Sequence, residues 1–184
     1  SANLIGTKDT DGISNVAVFS SLTHMGSNPG LLGFFLRPTT VIRDTYDNIK
    51  TSGRYTVNHV YDDIIEDAHH TSAKYNSDVS EFDVTQLHEE YKDEFFAPFV
   101  KHSPIQMAMK FVEEYDIKAN NTILLVGKIE KLYVPDSLIE KDGFINLSKA
   151  KVATINGLDG YAIPELKTRL EYQRPKKGFS HRDK

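Results

Sequence analysis

The sequence predicts a mainly β fold with short helices, arranged as an antiparallel barrel, and this prediction depends on three observations. Several segments alternate polar and apolar residues or run apolar throughout, as strands do. Turn sequences connect many of them at hairpin length, and only a few stretches have the period of a helix. A succession of short strands with few helices favours a closed antiparallel barrel over a doubly wound sheet.

The first three predicted strands are separated by turns. Leu4–Lys8 and Ser14–Ser20 are predicted strands on either side of an Asp-Gly turn at residues 9–12. A second turn, Ser27–Gly30, contains Asn-Pro-Gly. The following residues, Leu31–Leu36, are almost wholly apolar, which predicts a strand buried on both faces.

Two helices are predicted after these strands. The first begins at Arg43–Thr45, where Asp44 or its neighbour can cap the backbone amides, and ends at Gly53. Arg54–Val60 is rich in β-branched and aromatic residues and is a predicted strand. The second helix is predicted over Asp62–Ala73, with an inward face made of three apolar side chains: Ile64, Ile65 and Ala68.

The remaining chain is predicted to return to β structure after a long excursion. Lys74–Val100 is weakly periodic but rich in aromatic residues, which predicts short helical turns packed against the domain or a partner subunit. Ile105–Phe111 is a predicted half-buried strand, and Thr122–Tyr133 a longer strand with a bend or bulge at Gly127. Leu166–Tyr172 is predicted to be a closing strand.

Composition excludes several classes of function. The 184 residues fit one domain, and a net charge of −4 with a pI near 6.0 argues against nucleic-acid or anionic-membrane binding. The chain has no cysteine, which excludes disulfides, thiolate metal sites and iron–sulfur clusters and suits a cytoplasmic location. His69 and His70 are adjacent and diverge on a helix, so no metal site is predicted.

The segment from Asn15 to Ile49 carries the main functional signal. It joins a hydroxyl cluster, a turn, an apolar run and an Arg-Asp-Thr helix start. Small hydroxyl residues and a cation next to a helix N-terminus suit a phosphate-bearing ligand. The alternatives are that Ser20 and Ser21 only cross a bend and that Arg43 is a surface side chain of an ordinary helix.

Four patterns in this order carry a family resemblance. They are Asp11-Gly12 followed by SNVAVFSS (14–21), Asn28-Pro29-Gly30 before an apolar strand, RDTYDNI (43–49) and YTVN (55–58). Together they resemble the flavin reductase-like proteins, which bind FMN in a split β-barrel. The chain departs from the family in having Pro29-Gly30 where many members have two prolines. The family's strand before the one at Leu4 is absent or truncated, so a preceding segment is expected to complete the barrel.

The resemblance implies a single FMN-binding domain over residues 1–184 and a homodimer with FMN held non-covalently near the interface. It implies an NAD(P)H:flavin oxidoreductase, in which the nicotinamide gives a hydride to flavin N5. Because the cofactor carries this chemistry, no catalytic side chain is predicted. The alternative is a flavin-binding electron-transfer, sensor or storage module without NAD(P)H activity, and a scaffold that has lost its cofactor is a third reading.

The resemblance also implies which residues bind the cofactor. Hydroxyls and amides of residues 20–23 would contact the flavin, and the strand end at 35–37 would reach the ring edge. Arg43 offers a two-pronged contact to phosphate beside Thr45, and residues 71–74 would add a hydroxyl and a charge, unless they only terminate a helix. The predicted cofactor-binding residues are Ser20, Ser21, Leu22, Thr23, Phe35, Leu36, Arg37, Arg43, Thr45, Thr71, Ser72, Ala73 and Lys74.

Overall fold

Seven antiparallel strands form one sheet in the computed structural model, which describes residues 1–38, 40 and 43–174. The strands of this sheet are β1 (Asn3–Lys8), β2 (Ser14–Phe19), β3 (Thr23–Ser27), β4 (Gly30–Leu36), β5 (Arg54–His59), β8 (Gln106–Ile117) and β9 (Thr122–Tyr133). Their order across the sheet is β2-β1-β5-β8-β9-β4-β3, so the predicted mainly β, antiparallel split-barrel fold is confirmed. Two small hairpins are formed by β6 (Glu89–Glu90) with β7 (Phe99–Val100), and by β10 (Thr154–Asn156) with β11 (Gly160–Ala162).

The two faces of the sheet build two hydrophobic cores. Inside the barrel, Phe34 lies edge-on to Phe19 and to Tyr55, with ring centroids 5.0 and 5.7 Å apart. On the other face of β1 and β2, Leu4 and Val16 belong to a second core that includes residues of the short helices. The short helical segments at 65–70 and 81–84 therefore pack outside the barrel, whereas Ile49 of the first helix belongs to the barrel core.

Helix α1 (Asp44–Ser52) ends as predicted but begins differently. Gly53 adopts a left-handed conformation with φ of 67°, and its amide donates to the carbonyl of Ile49 at 2.9 Å. The predicted cap by Asp44 is wrong, because Arg43 occupies the capping position and no side chain accepts from the first-turn amides. The carbonyl of Arg43 instead accepts from the amides of residues 46 and 47.

The predicted second helix is divided. Asp62–Ile64 is a 3₁₀ turn, and α2 covers only Ile65–His70, with Ala68 fully buried and the two isoleucines partly buried against the outer core. Thr71 follows α2, and its hydroxyl donates to the carbonyl of Ala68, which ends the helix before the predicted boundary. The excursion after residue 74 contains the expected short helical turn, α3 (Glu81–Val84).

Three other strand predictions need correction. The strand β3 is not predicted from its sequence, because most of it is exposed and lacks an alternating pattern. The strand β4 is not buried on both faces, since Phe35 is 44% exposed. The segment Leu166–Tyr172 forms no strand, and its apolar side chains at 166, 170 and 172 are exposed.

The long strands β8 and β9 differ in detail from their predictions. The half-buried alternation predicted for Ile105–Phe111 is wrong at its start, because Gln106 and Ala108 are buried as well. The pairing of β8 with β9 is irregular at two places: Val112 is the extra residue in β8, next to the pair Phe111–Gly127, and Glu130 is the extra residue in β9. The irregularity predicted at Gly127 is therefore present, but the extra residue there belongs to β8. A Cβ atom at Gly127 would lie 1.9 Å from the hydroxyl of Tyr55, so close packing explains this glycine.

Candidate functional site

A groove with a cavity volume of about 880 Å³ lies against β2, the end of β4 and the start of α1. The segment that follows α2 forms its outer wall. All of the predicted site residues except Leu22 and Thr23 line this groove. The fold therefore brings together three sequence segments that are far apart in the chain.

Leu22 and Thr23 lie outside the groove. The side chain of Leu22 packs against the barrel core, and Thr23 begins β3 opposite Gly33. The neighbouring Ser21 lines the groove, but its hydroxyl accepts from the amide of Phe35 at 3.0 Å and lies 3.3 Å from the carbonyl of the same residue. This hydroxyl connects the β2–β3 turn to β4, whereas that of Ser20 is exposed.

The inner wall is fixed by a buried hydrogen bond between β2 and α1. The side-chain nitrogen Nδ2 of Asn15 donates to the hydroxyl of Thr45 at 3.1 Å, and these two residues are only 9% and 5% exposed. A buried polar pair of this kind specifies the distance between strand and helix. Thr45 therefore positions the start of α1 at the groove, with its hydroxyl already engaged by the protein.

Arg43 presents the clearest polar group for a ligand. Its Nε atom is buried and has no hydrogen-bond partner in the described part of the chain. Because a buried donor without a partner is costly, this atom needs an acceptor that the described residues do not supply. Arg37 adds a second, exposed guanidinium at the end of β4, while the carboxylate of Asp44 also lines the groove.

The outer wall is formed by the segment after α2 and is more open. Thr71 is buried and its hydroxyl is used within α2, whereas Ser72, Ala73 and Lys74 are exposed. Tyr75 continues this wall, and its hydroxyl lies 2.6 Å from Nε2 of His70. The outer wall therefore offers unengaged side chains on a short, locally connected segment.

Several groove residues were not predicted from the sequence. Asn76 and Ser77 extend the predicted segment 71–74, so their place follows from continuity along the chain. Thr122 begins β9, which pairs with the end of β4, and no local signal marks it. The others are Asn15, Ala17, Val18, Phe19, Asp44, Tyr75 and Glu81.

Glu81 is the unexpected charged group of this site. It lines the groove, is 8% exposed, and its Oε2 accepts the backbone amide of Val16 at 3.0 Å. Burial raises the pKa of Glu81, although the hydrogen bond from Val16 opposes this effect. No cationic side chain forms an ion pair with it among the residues that the structure describes.

Comparison with known proteins identifies the family. The family model described as "Flavin reductase like domain" matches residues 2–149. The chain belongs to this family. A protein from Shewanella frigidimarina NCIMB 400, assigned as a flavin reductase with a split barrel domain, is 44% identical in sequence and has a TM-score of 0.90. That match covers 94% of this chain and 86% of the other.

More distant structures of the flavin reductase-like fold are also similar. Flavoredoxin of Desulfovibrio vulgaris (Miyazaki F) has a TM-score of 0.78 at 19% identity, covering 91% of this chain and 88% of that chain. An FMN-binding protein from Thermus thermophilus has a TM-score of 0.77 at 14% identity, covering 92% of this chain and 89% of the other. At these identities the likeness concerns the fold. None of the helices among the described residues is long and apolar enough to cross a membrane.

Proposed function

We propose that the protein binds FMN in the groove and acts as an NAD(P)H-dependent flavin reductase. The observation that carries this proposal is the buried Nε of Arg43, which lacks a partner in the described chain at the edge of a large groove. A phosphate oxygen is the acceptor that a guanidinium binds best. Membership of the flavin reductase-like family, and the FMN named for the similar Thermus protein, support the choice of ligand.

The groove residues suit the different parts of FMN. Arg43 would hold the phosphate, with Lys74 on the opposite wall adding charge at a distance set by its flexible side chain. The apolar side chains of Val18, Phe19 and Phe35 suit an aromatic ring system. Exposed hydroxyls at 20 and 72 would donate to polar atoms of the ligand.

The bound flavin would supply the redox chemistry by accepting a hydride from NAD(P)H at N5 and passing the electrons onward. The chain itself binds and orients the cofactor and limits the access of water to one side of it. The bond between Asn15 and Thr45 holds the inner wall in place before any ligand arrives. Such preorganisation lowers the free-energy cost of binding.

We further propose that the protein is a homodimer whose second subunit covers the sheet next to the groove. Phe35, Leu124 and Tyr115 lie opposite one another on three neighbouring strands, and Phe35 and Tyr115 are 44% and 50% exposed. Phe35 also lines the groove. An apolar row of this kind suits burial by a partner, which would then lie close to the bound FMN.

Absorption spectroscopy of the purified protein tests the flavin reductase proposal. We expect a yellow protein, or one that becomes yellow after incubation with FMN and removal of free ligand. Under anaerobic conditions NADH or NADPH should bleach the flavin band. A protein that takes up no FMN would contradict the proposal, and bound FMN that stays oxidised with both nucleotides would favour the electron-transfer alternative.

The dimer is tested separately by light scattering coupled to size-exclusion chromatography. The unmodified protein should have twice the chain mass, and Tyr115→Lys should lower that mass by placing a charge in the apolar row. Tyr172→Lys is the matched control, since Tyr172 is 89% exposed and lies outside the sheet. A monomeric mass for the unmodified protein would contradict this part of the proposal.

A further inference from the structure

Glu81 is held in the groove by a single helical turn that is capped at both ends. The hydroxyl of Ser80 accepts the amide of Phe82, and the hydroxyl of Thr85 donates to the carbonyl of Glu81 at 2.7 Å. Phe82 is 8% exposed and anchors this turn in the outer core. The position of the carboxyl group is therefore fixed by packing and capping, and not by a cationic partner.

The carboxyl group also accepts a hydrogen bond from the free edge of β2. Strand β2 is one of the two end strands of the sheet, and Oε2 of Glu81 accepts the backbone amide of Val16. Residues 17–19 of the same strand line the groove. Glu81 thus contacts β2, which belongs to the inner wall of the proposed FMN site, and it also lines that site itself.

The charges around Glu81 do not neutralise it. The negative charge of Asp44, in the first turn of α1, raises the pKa of Glu81 further, and β2 carries no ionisable side chain on either face. On α3 itself Asp83 is exposed, and Asp67 of α2 accepts the amide of Gln86 beyond that helix. Arg43 and Lys74 line other parts of the groove and form no ion pair with Glu81.

We propose that Glu81 couples the binding of FMN to the uptake of a proton. This inference rests on the proposed function, because it concerns the same groove. A phosphate-bearing ligand brings negative charge into a cavity that already contains Asp44 and the buried carboxylate of Glu81, which has no ion-pair partner among the described residues. Protonation of Glu81 removes one of these charges, so the protonated form of the protein binds the anionic ligand more tightly.

The raised pKa of Glu81 supports this coupling, because burial has already made its ionised form unfavourable before the ligand binds. A neutral carboxyl group also keeps an oxygen that can accept the Val16 amide. The proton can therefore be taken up without breaking the contact that fixes the edge of β2. Ligand binding and protonation reinforce each other under this arrangement.

Isothermal titration calorimetry with FMN tests the proposal, using buffers with different ionisation enthalpies to count the protons exchanged. We expect the unmodified protein to take up a fraction of a proton, up to one, per FMN bound. Its Kd should rise with pH by at most tenfold per pH unit. Glu81→Gln keeps an oxygen for the Val16 amide and should lose this uptake while binding FMN at least as tightly at neutral pH.

Glu66→Gln is the control, because Glu66 is an exposed carboxylate on α2 outside the groove. It should leave the proton uptake unchanged, and the titration of the FMN phosphate itself contributes equally to all three proteins. Equal proton uptake by the Glu81→Gln variant would overturn the inference, as would FMN binding to the unmodified protein without proton exchange. An absence of FMN binding to the unmodified protein would instead contradict the proposed function.

The stability of the protein without flavin provides a second readout. Because the folded-state pKa of Glu81 is raised, the folded state holds its proton more tightly than the unfolded state. The contribution of Glu81 to the free energy of unfolding, measured as the difference between the unmodified protein and Glu81→Gln, should therefore fall as the pH rises above the ordinary pKa of 4.5 and level off above the folded-state pKa. A difference between the two proteins that does not change with pH would contradict the assignment of the buried charge.

Discussion

The buried part of the sheet and the groove beside it differ in how their polar side chains are satisfied. On β5, Asn58 and His59 are buried and hydrogen-bonded to other parts of the chain. In the groove, Arg43 retains a buried donor without a partner in the described chain, and Glu81 lacks a cationic partner there. Polar groups that are hydrogen-bonded within the chain stabilise the fold, whereas the unsatisfied groups of the groove are free to bind a ligand or a proton.

Tyr55 shows the limit of this contrast. Its hydroxyl lies in the barrel and also has no partner in the described chain, yet it packs against Gly127 and does not line the groove. Burial without a partner raises the pKa of Tyr55 well above its ordinary value. An unpartnered polar atom therefore indicates a binding site only where a cavity lies beside it, as at Arg43.

The largest effect is expected for Asn58→Ala on β5. The amide nitrogen of Asn58 donates to the carbonyl of Leu4 and to the hydroxyl of Thr56, and its oxygen accepts the amide of Val100. Removing this side chain leaves buried groups without partners, so we expect a loss of about 3–5 kcal/mol in the free energy of unfolding. Urea denaturation measures this loss.

The matched control is Asn76→Ala, because Asn76 is exposed and lines the groove. It should change the free energy of unfolding by less than about 0.5 kcal/mol. Equal losses in the free energy of unfolding for the two variants would contradict the difference proposed between the buried sheet and the groove.

The second prediction concerns acid and His59. Burial lowers the pKa of His59 from 6.5 to about 4, and Nδ1 of its ring lies 2.6 Å from Oδ1 of Asn3. Between pH 6.5 and 4, His59 is therefore protonated in the unfolded chain but neutral in the folded chain. Its contribution to the free energy of unfolding is lost as the pH falls through this range. The loss should reach roughly 3 kcal/mol over this range.

Denaturation curves across this pH range measure the acid effect. His59→Gln should be less stable at neutral pH but should show a smaller further loss in acid. His24→Gln, which removes an exposed histidine on β3, should keep the acid loss of the unmodified protein. An acid loss in His59→Gln as large as that of the unmodified protein would contradict the neutral state inferred for His59.

The sequence predicts these regions well where the interacting residues are close together in the chain, and poorly where they are far apart. Local patterns and the family resemblance predict six of the seven strands of the large sheet, all except β3. They also predict the end of α1 at Gly53 and the cluster of Arg43 with residues 71–74. Glu81 was not, because its place depends on a hydrogen bond to Val16, 65 residues away in the chain. The predicted strand at Leu166–Tyr172 is wrong, because alternation alone supplies no neighbouring strand with which to pair.

The third prediction tests the groove through Arg43→Ala. Loss of a charge-assisted contact to phosphate should weaken FMN binding by about 2 kcal/mol, or roughly 30-fold in Kd, with little change in stability. Fluorescence titration with FMN measures the Kd. Arg43→Lys should recover part of the affinity, since it restores the charge but not the planar fork of donors.

Arg54→Ala is the control for this prediction. Arg54 pairs with Glu130 on the barrel surface and lies outside the groove. Its loss should leave the Kd for FMN unchanged. An unchanged Kd in Arg43→Ala would remove Arg43 from the site and with it the main argument for the position of the phosphate.

The smallest effect is expected for Lys74→Ala on the outer wall. Lys74 is exposed and forms no ion pair within the described residues, so its charge acts on a ligand through solvent. We expect FMN affinity to fall only about two- to threefold at low salt, and the difference to disappear at high salt because exposed charges are screened. The effect of Arg43→Ala should persist at high salt, since Nε of Arg43 is buried. Titrations of both variants at two salt concentrations therefore separate a fixed, desolvated phosphate contact from a screened one, and equal salt dependence would show that the two walls bind the ligand in the same way.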